Sequence, residues 1–367
     1  MTNEYYMQMA LELAKKGAGF VNPNPLVGAV IVKNGEIIGC GYHEKYGEPH
    51  AERNALANCS VSPKGATLYV TLEPCCHFGK TPPCTQAIIK SGISKVMVGI
   101  RDPNPLIAGK GIKMLKKEGI EVAEGVLQEQ CRSINEIFFH YIQTKTPYVV
   151  MKYAMTMDGK IAANDGKSKW ITGEMARHKV RQDRNRCSAI MVGVGTVVAD
   201  DPLLTCRIEG RRNPIRIICD TNLRTPLHTK IVTTARDVPT IFATACKDVQ
   251  RHQDYIDAGC RIITLSRKDG HIDLSELMMQ LGGEKIDSIL LEGGGTLNWA
   301  MLEAGFVNKV QAYIAPKLFG GLHAKTPLAG LGVKNPDQAI ILKNTTINLL
   351  GDDILIESEV KKCSQVL

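Results

Sequence analysis

Two short stretches carry side chains that must meet in space, and they constrain the fold more than any other feature of the sequence. Pro49-His50-Ala51-Glu52 offers an imidazole and a carboxylate. Thr71-Leu72-Glu73-Pro74-Cys75-Cys76-His77-Phe78-Gly79-Lys80-Thr81-Pro82-Pro83-Cys84 offers thiols at Cys75, Cys76 and Cys84. One imidazole with two thiolates is a zinc ligand set that leaves a coordination position open, as catalytic sites do and closed structural sites do not.

The flanking sequence predicts a frame that can bring these groups together. Glu4 to Lys16 has apolar residues at helical spacing and runs into Gly17-Ala18-Gly19, a helix stop. Leu26 to Val32 reads as a buried strand, Asn34-Gly35 as a two-residue hairpin turn, and Glu36 to Tyr42 as the partner strand. His50 to Ala57 opens a helix. Ala66 to Thr71 is a strand leading into Glu73-Pro74-Cys75, and Cys84 to Lys90 is a helix with a thiol in its first turn. Lys95 to Ile100, Gly111 to Lys117 and Ile120 to Val122 continue as strand, helix and strand. This β-α-β-α-β alternation implies a parallel sheet covered by helices. Helix N-termini then present His50 and Cys84 and favour thiolate over thiol.

Zinc lowers the pKa of a water it binds to near neutrality. Glu52, two residues after His50, is placed to accept the proton and return it to a substrate. The arrangement matches the H-x-E…P-C-x-x-C signature of zinc nucleobase deaminases, except that here the second half is P-C-x8-C. Blander readings stay open at this point: a structural His before a helix, or Cys76 completing a closed four-ligand site.

Length and composition set the wider bounds. With 367 residues the chain suits two domains, and 44% hydrophobic with 22% charged residues is ordinary for a globular protein. The formal charge of +8 is not gathered into a basic stripe, which argues against nucleic-acid binding. No apolar run approaches the roughly 20 residues needed to span a bilayer. The polar start, Met1 to Tyr6, is unlike a signal peptide. The expectation is a cytoplasmic protein whose 12 cysteines are reduced, most of them acting as small core residues.

With Asn24-Pro25-Leu26-Val27-Gly28 added, the His50, Glu52, Cys75 and Cys84 motif resembles the deaminase half of the bifunctional riboflavin-biosynthesis deaminase/reductases. The eight-residue spacer is the form that family uses. The resemblance implies that His50, Cys75 and Cys84 bind Zn2+, that Cys76 does not, and that Glu52 is catalytic. It also implies that Asn24, His43, His77 and Lys80 hold a phosphoribosyl-pyrimidine, for which cationic donors are apt.

Gln143-Thr144-Lys145-Thr146-Pro147 marks a boundary, giving domains 1–145 and 146–367. Beyond it, strands are predicted over Tyr148–Ala154, Ala189–Val194, Ile215–Asp220, Thr240–Thr244, Arg261–Leu265, Asp287–Glu292, Lys309–Ala315 and Asp353–Glu359. A helix follows Thr172 or Gly173 and reaches about Arg186, another covers Leu274 to Leu281, and a third covers Leu297 to Ala304. Glu292-Gly293-Gly294-Gly295-Thr296 joins a strand to a helix as a phosphate cradle would, although it is not G-x-G-x-x-G.

Met155-Thr156-Met157-Asp158-Gly159-Lys160, Trp170-Ile171-Thr172-Gly173 and Val192 to Arg207 complete a resemblance to the reductase half of the same family, which has a dihydrofolate-reductase-like fold. It implies NADPH contacts at Ala154, Trp170, Thr196, Asp200, Thr221, Gly294, Gly295, Thr296 and Leu297. Substrate contacts are implied at Ser168, Arg184, Leu204, Arg207 and Glu292, with Lys152 near the sugar. The fold class expected is therefore α/β throughout: a cytidine-deaminase-like α/β/α domain followed by a dihydrofolate-reductase-like α/β domain. The enzyme implied is both hydrolase and oxidoreductase, acts on a small molecule, touches neither nucleic acid nor membrane, and is a homo-oligomer. Two rival readings remain: a nucleic-acid or nucleoside deaminase with a fused nucleotide-binding domain, and a reductase whose zinc is purely structural.

Overall fold

The computed structural model describes residues 1–78, 82–105 and 107–361. The chain divides into two compact units, Met1–Lys145 and Thr146–Leu367.

The first unit opens with helix α1 (Asn3–Lys15), whose N-terminus is capped by the Thr2 hydroxyl accepting from the Tyr5 N–H. Strands β1 (Gly28–Lys33) and β2 (Glu36–Tyr42) form the expected hairpin. Then follow α2 (Ala51–Ala57), β3 (Thr67–Leu72), α3 (Cys84–Ser91), β4 (Lys95–Ile100), α4 (Lys110–Lys117) and β5 (Glu121–Glu124). Two helices not expected from the sequence, α5 (Gln128–Ile134) and α6 (Glu136–Thr144), end the unit. The sheet order is β2-β1-β3-β4-β5, with β3, β4 and β5 parallel. Strand β3 is buried along nearly its whole length, as a strand covered on both faces must be. Met7, Leu11, Ile31, Leu68, Val70, Ile88, Val98 and Leu115 join one core around it.

The second unit contains β6 (Tyr148–Thr156), α7 (Glu174–Arg186), β7 (Ala189–Gly193), α8 (Val194–Asp200), β8 (Ile215–Cys219), α9 (Lys230–Thr233), β9 (Thr240–Thr244), α10 (Val249–Asp257) and β10 (Arg261–Thr264). After these come the two-stranded β11 (Arg267–Lys268) and β12 (His271–Ile272), α11 (Leu274–Gly283), β13 (Ser288–Leu291), α12 (Gly295–Glu303), β14 (Val307–Ala315), β15 (Leu342–Leu350) and β16 (Asp353–Val360). The main sheet runs β10-β9-β8-β7-β13-β6-β14-β16-β15. It is parallel from β10 to β14 and antiparallel over the last two strands.

Alternation along β7 divides the core of this unit in two. Ala189 and Met191 pack with Leu277, Leu281 and Met301 on one face, while Ile190 and Val192 pack with Ile231, Val232 and Tyr255 on the other. Strand β15 escaped sequence reading because eight of its nine residues are exposed, so no buried face imposes a period. Helix α12 begins at Gly295, two residues before the expected Leu297, so the glycine turn forms its cap and first turn. Most significant for the site, β13 is inserted between β6 and β7 although it follows β10 in the chain.

Candidate active sites

In the first unit, all the groups of interest sit beyond the carboxyl end of β3. His50 is the N-cap residue of α2 rather than a member of its first turn, and Cys84 is the first residue of α3. Cys75 follows the Glu73-Pro74 corner. That corner is fixed from behind by the buried Glu73 carboxylate, which accepts from the N–H groups of Asp102 (3.3 Å), Gly109 (2.9 Å) and Ile112 (3.2 Å). Helix α4 approaches so closely that a Cβ on Gly111 would lie 2.2 Å from the Pro74 carbonyl oxygen.

The His50 Nδ1 atom stands 3.5 Å from Cys75 Sγ and 3.4 Å from Cys84 Sγ, and all three donor atoms lie within 4.8 Å of one another. Tetrahedral zinc, with bonds of about 2.3 Å to sulfur and 2.0 Å to nitrogen, separates such a pair by about 3.5 Å. The donor set and its observed spacing therefore fit zinc. The Cys84 N–H donates to Cys75 Sγ at 3.3 Å, and the two sulfurs are hydrogen-bonded as well. Cys84, next His50, hold Cys75 down at about 4. Cys84 itself is pushed up by that same bond and by burial.

Glu52 is buried, and burial raises its carboxyl above the usual range, with the Cys75 sulfur adding to the effect. A carboxyl so raised can take up and release a proton. The surrounding cavity, about 300 Å3, is lined by His50, Glu52, Cys75, Asn24, His43 and His77. Asn24 Nδ2 lies 3.2 Å from His43 Nε2, while His43 Nδ1 is 3.2 Å from the Pro49 carbonyl oxygen. Burial keeps His43 below its ordinary value. Lys80 lies outside the described residues. Sequence reading missed two further groups in this wall, Asp102 and Asn104. Burial raises Asp102 to about 6, and its carboxylate accepts from the Asn104 N–H at 2.8 Å. They sit in a loop after β4, and no local motif marks them.

In the second unit, two cavities meet above the carboxyl ends of the parallel strands, where open α/β sheets bind ligands. The larger, about 890 Å3, is lined by Thr196, Asp200, Thr221, Gly294, Gly295, Thr296 and Leu297. Ser168, Arg184, Leu204, Arg207 and Glu292 line the smaller, about 480 Å3, together with Ala154, Trp170 and Lys152. Ser168, Thr196, Asp200, Gly294 and Ile161 border both. Ala154 and Trp170, read as cofactor contacts, thus lie in the wall of the smaller cavity.

An absent Cβ keeps the floor open at Gly294, where one would reach to 3.5 Å of Thr196 Oγ1. Gly294 caps α12, and the first-turn N–H groups of Gly295, Thr296 and Leu297 have no intrahelical acceptor. A long cavity with a glycine floor and free N–H groups fits a dinucleotide pyrophosphate.

Insertion of β13 brings Glu292 between Arg184 and Lys152. Arg184 binds it in two-pronged fashion, Nε to Oε1 at 2.8 Å and a terminal nitrogen to Oε2 at 3.0 Å. Lys152 Nζ lies 3.6 Å from Oε2. Burial alone would raise Glu292, but the charges of Arg184 and Lys152 outweigh it and hold the carboxyl at about 2. Arg181 was also missed as a wall residue; its Nε is buried with no partner. Burial, then the charges of Arg184 and Arg181, lowers Arg207, so the wall is a like-charge cluster suited to an anion.

Each unit contains a stretch that matches a known family. Residues 147–356 match the model of the RibD C-terminal domain, and residues 1–100 match the cytidine and deoxycytidylate deaminase zinc-binding region. The chain belongs to the RibD family. It is 54% identical over 357 residues to the riboflavin biosynthesis protein RibD of Actinobacillus pleuropneumoniae, covering 97% of this chain and 95% of that one. It is 44% identical to the protein of the same name from Bacillus amyloliquefaciens, covering 96% and 94%. Among solved structures, Acinetobacter baumannii RibD superposes with a TM-score of 0.88 at 37% identity, over 98% of this chain and 99% of that one. A Thermotoga maritima diaminohydroxyphosphoribosylaminopyrimidine deaminase/5-amino-6-(5-phosphoribosylamino)uracil reductase gives 0.86 at 38%, with the same coverage. Membership gives the first unit a cytidine-deaminase-like fold and the second the dihydrofolate-reductase-like fold of the RibD reductases. No described helix is long and apolar enough to cross a membrane.

Proposed function

We propose that the chain is a bifunctional enzyme of riboflavin biosynthesis, with domain 1–145 as hydrolase and domain 146–367 as oxidoreductase. The first hydrolytically deaminates 2,5-diamino-6-(5-phosphoribosylamino)pyrimidin-4(3H)-one, and the second reduces the ribosyl group of the product to ribityl. The observation that carries the reading is the convergence of His50, Cys75 and Cys84 beside the buried Glu52, in a chain that shares 54% of its residues with a riboflavin-biosynthesis protein.

His50, Cys75 and Cys84 hold zinc, which when bound lowers the pKa of a water to near neutrality. Glu52 takes one proton from the attacking water and delivers it to the pyrimidine ring nitrogen; it then takes the proton left on the new carbon-bound hydroxyl and passes it to the amino group, which departs as ammonia as the carbonyl forms. Water is consumed and one exocyclic amine becomes a carbonyl. Asn24, His43, His77 and Lys80 bind the phosphoribosyl-pyrimidine.

In the second domain Ala154, Trp170, Thr196, Asp200, Thr221, Gly294, Gly295, Thr296 and Leu297 bind NADPH, which supplies the hydride. Ser168, Arg184, Leu204, Arg207 and Glu292 hold the substrate, the arginines gripping its phosphate. Glu292 keeps Arg184 and Lys152 aimed into the smaller cavity, beside the sugar carbon that receives the hydride.

Two further parts of the reading have their own support. Strand β15 exposes Ile347 (67%) and Leu349 (73%) along a sheet edge, which suits burial against a second copy in a homo-oligomer. Every described cysteine is free, in keeping with the cytoplasm.

The test is to incubate the protein with the diamino substrate, with and without NADPH, and to follow both products by mass. The expected result is ammonia release without cofactor and a further gain of two mass units with it. Absence of either change removes the corresponding half of the proposal.

A further inference from the structure

Two segments far apart in the chain share the wall of the first unit's cavity. One is Pro23 to Val27, which carries Asn24; the other is helix α6, which supplies Phe138, Tyr141 and Ile142. Helix α6 lies beyond residues 1–100, the stretch that matches the deaminase zinc-binding region and holds the metal donors. Its part of the wall is therefore an addition to the zinc centre.

One amide joins the two segments. Asn135 is only 2% exposed. Its Oδ1 accepts from the Leu26 N–H at 2.8 Å, and its Nδ2 donates to the Leu26 carbonyl oxygen at 2.9 Å. The grip repeats the double exchange of a hydrogen-bonded pair in an antiparallel ladder. Two bonds fix both the position and the orientation of that backbone, where one would let it pivot. The place matters too. Pro25 has no N–H, so the Leu26 N–H is the first backbone donor after Asn24. On the other side, the Asn24 N–H donates to the Val21 carbonyl oxygen at 2.8 Å. Asn24 is thus held between Val21 and the clamp on Leu26.

The amide gives up a local role to do this. Asn135 is the C-cap of α5 and the N-cap of α6. Asparagine at an N-cap ordinarily turns its side-chain oxygen onto the N2 or N3 N–H of its own helix. Asn135 makes no such bond. Breaks in a local rule of this kind are expected at functional sites. Asn135 is not itself among the described residues that line the cavity, so it acts through the segments it joins.

We propose that Asn135 is a positioning residue of the first domain: it sets the Asn24 segment against the α6 wall and so governs how tightly the pyrimidine is held, without touching substrate or zinc. The proposal rests on the reading of that domain as a zinc-dependent deaminase. Its test is steady-state ammonia release from the diamino substrate by the full-length protein, with zinc content and the reductase assay alongside, for wild type, Asn135→Ala and Asn135→Asp. Asn135→Ala removes both bonds. Asn135→Asp keeps the shape and one acceptor but sets a second oxygen against the Leu26 carbonyl oxygen. Both variants are expected to raise the deaminase KM about tenfold or more. Turnover should stay within about threefold of wild type, as befits a loss of binding. Zinc content and reduction of the deaminated substrate should not change. A merely structural asparagine would instead lower the zinc-loaded fraction, and kcat with it, and leave KM alone. An unchanged KM in a variant that keeps its zinc, or loss of zinc from both variants, overturns the proposal. Wild-type protein that releases no ammonia overturns the deaminase reading itself, a different failure from an asparagine that positions nothing.

Discussion

The two candidate sites use opposite strategies. In the first unit the reactive groups crowd around one point: three donor atoms within 4.8 Å, a buried carboxyl two residues from one of them, and a cavity of about 300 Å3. In the second unit two cavities of about 890 and 480 Å3 share a border, and the strongest local interaction is the internal pairing of Arg184, Lys152 and Glu292. Hydrolysis brings its second reactant as water, so it needs one point held rigidly. Hydride transfer brings two large reactants together, so it needs two troughs meeting at an edge, and electrostatics that keep cations poised until an anion arrives.

This contrast can be broken most forcefully at the point site. Cys84→Ala is expected to reduce zinc from about one per chain to near zero and deamination by more than about a thousandfold. Reduction of the deaminated substrate should persist, because the second domain has its own core. Metal analysis beside the two separate assays checks this, and retention of zinc with deamination would dissolve the ligand set. Glu52→Gln separates metal binding from proton transfer. Zinc content should stay while deamination falls by about 10²–10⁴, and undiminished ammonia release would leave the zinc a structural role.

The trough site is expected to fail differently, through stability. Glu292→Gln leaves Arg184 and Lys152 buried against a neutral partner, a loss of roughly 3–5 kcal/mol, measured as a lowered unfolding midpoint of the second domain. The same carboxylate predicts a pH dependence. Its folded value of about 2 lies below the ordinary carboxyl value of 4.5, so its contribution, on the order of 3 kcal/mol, is complete above pH 4.5. It is lost as the pH falls from there towards 2. Wild type and variant should therefore converge in stability as the pH falls through that window, and parallel curves would refute the assignment. The smallest effect expected is at the rim of the point site: His77→Ala should raise the deaminase KM by about tenfold with zinc retained. Zinc loss, or an unchanged KM, would show that His77 does not contact substrate.

Much of this was legible in the sequence where a physical period or a local rule was at work. The β-α-β run from residue 66 to 124 is announced by buried apolar strands, and the structure repeats it nearly residue for residue. Regions without such rules were silent. Strand β15 has no buried face. Helices α5 and α6 follow one another almost directly, with Asn135 as the C-cap of one and the N-cap of the other, so no conspicuous turn separates them. Asp102, Asn104 and Arg181 carry no motif, because what marks them is the cavity they face.

By itself the sequence determined the chemistry available: an imidazole, a carboxyl and two thiols at fixed offsets, and a glycine turn between a strand and a helix. Spacing along one helix or one strand-to-helix corner fixes such groups locally, since backbone periodicity leaves little choice. Tertiary structure alone decided the company those groups keep. Strand β13 pairs in register with β6 and β7, so that Leu291 lies beside Met151 and Met191. That pairing carries Glu292 to Arg184 and Lys152, residues more than a hundred positions away in the chain. No local rule predicts it, because the order of strands in a sheet is set by which faces bury together, a property of the whole core.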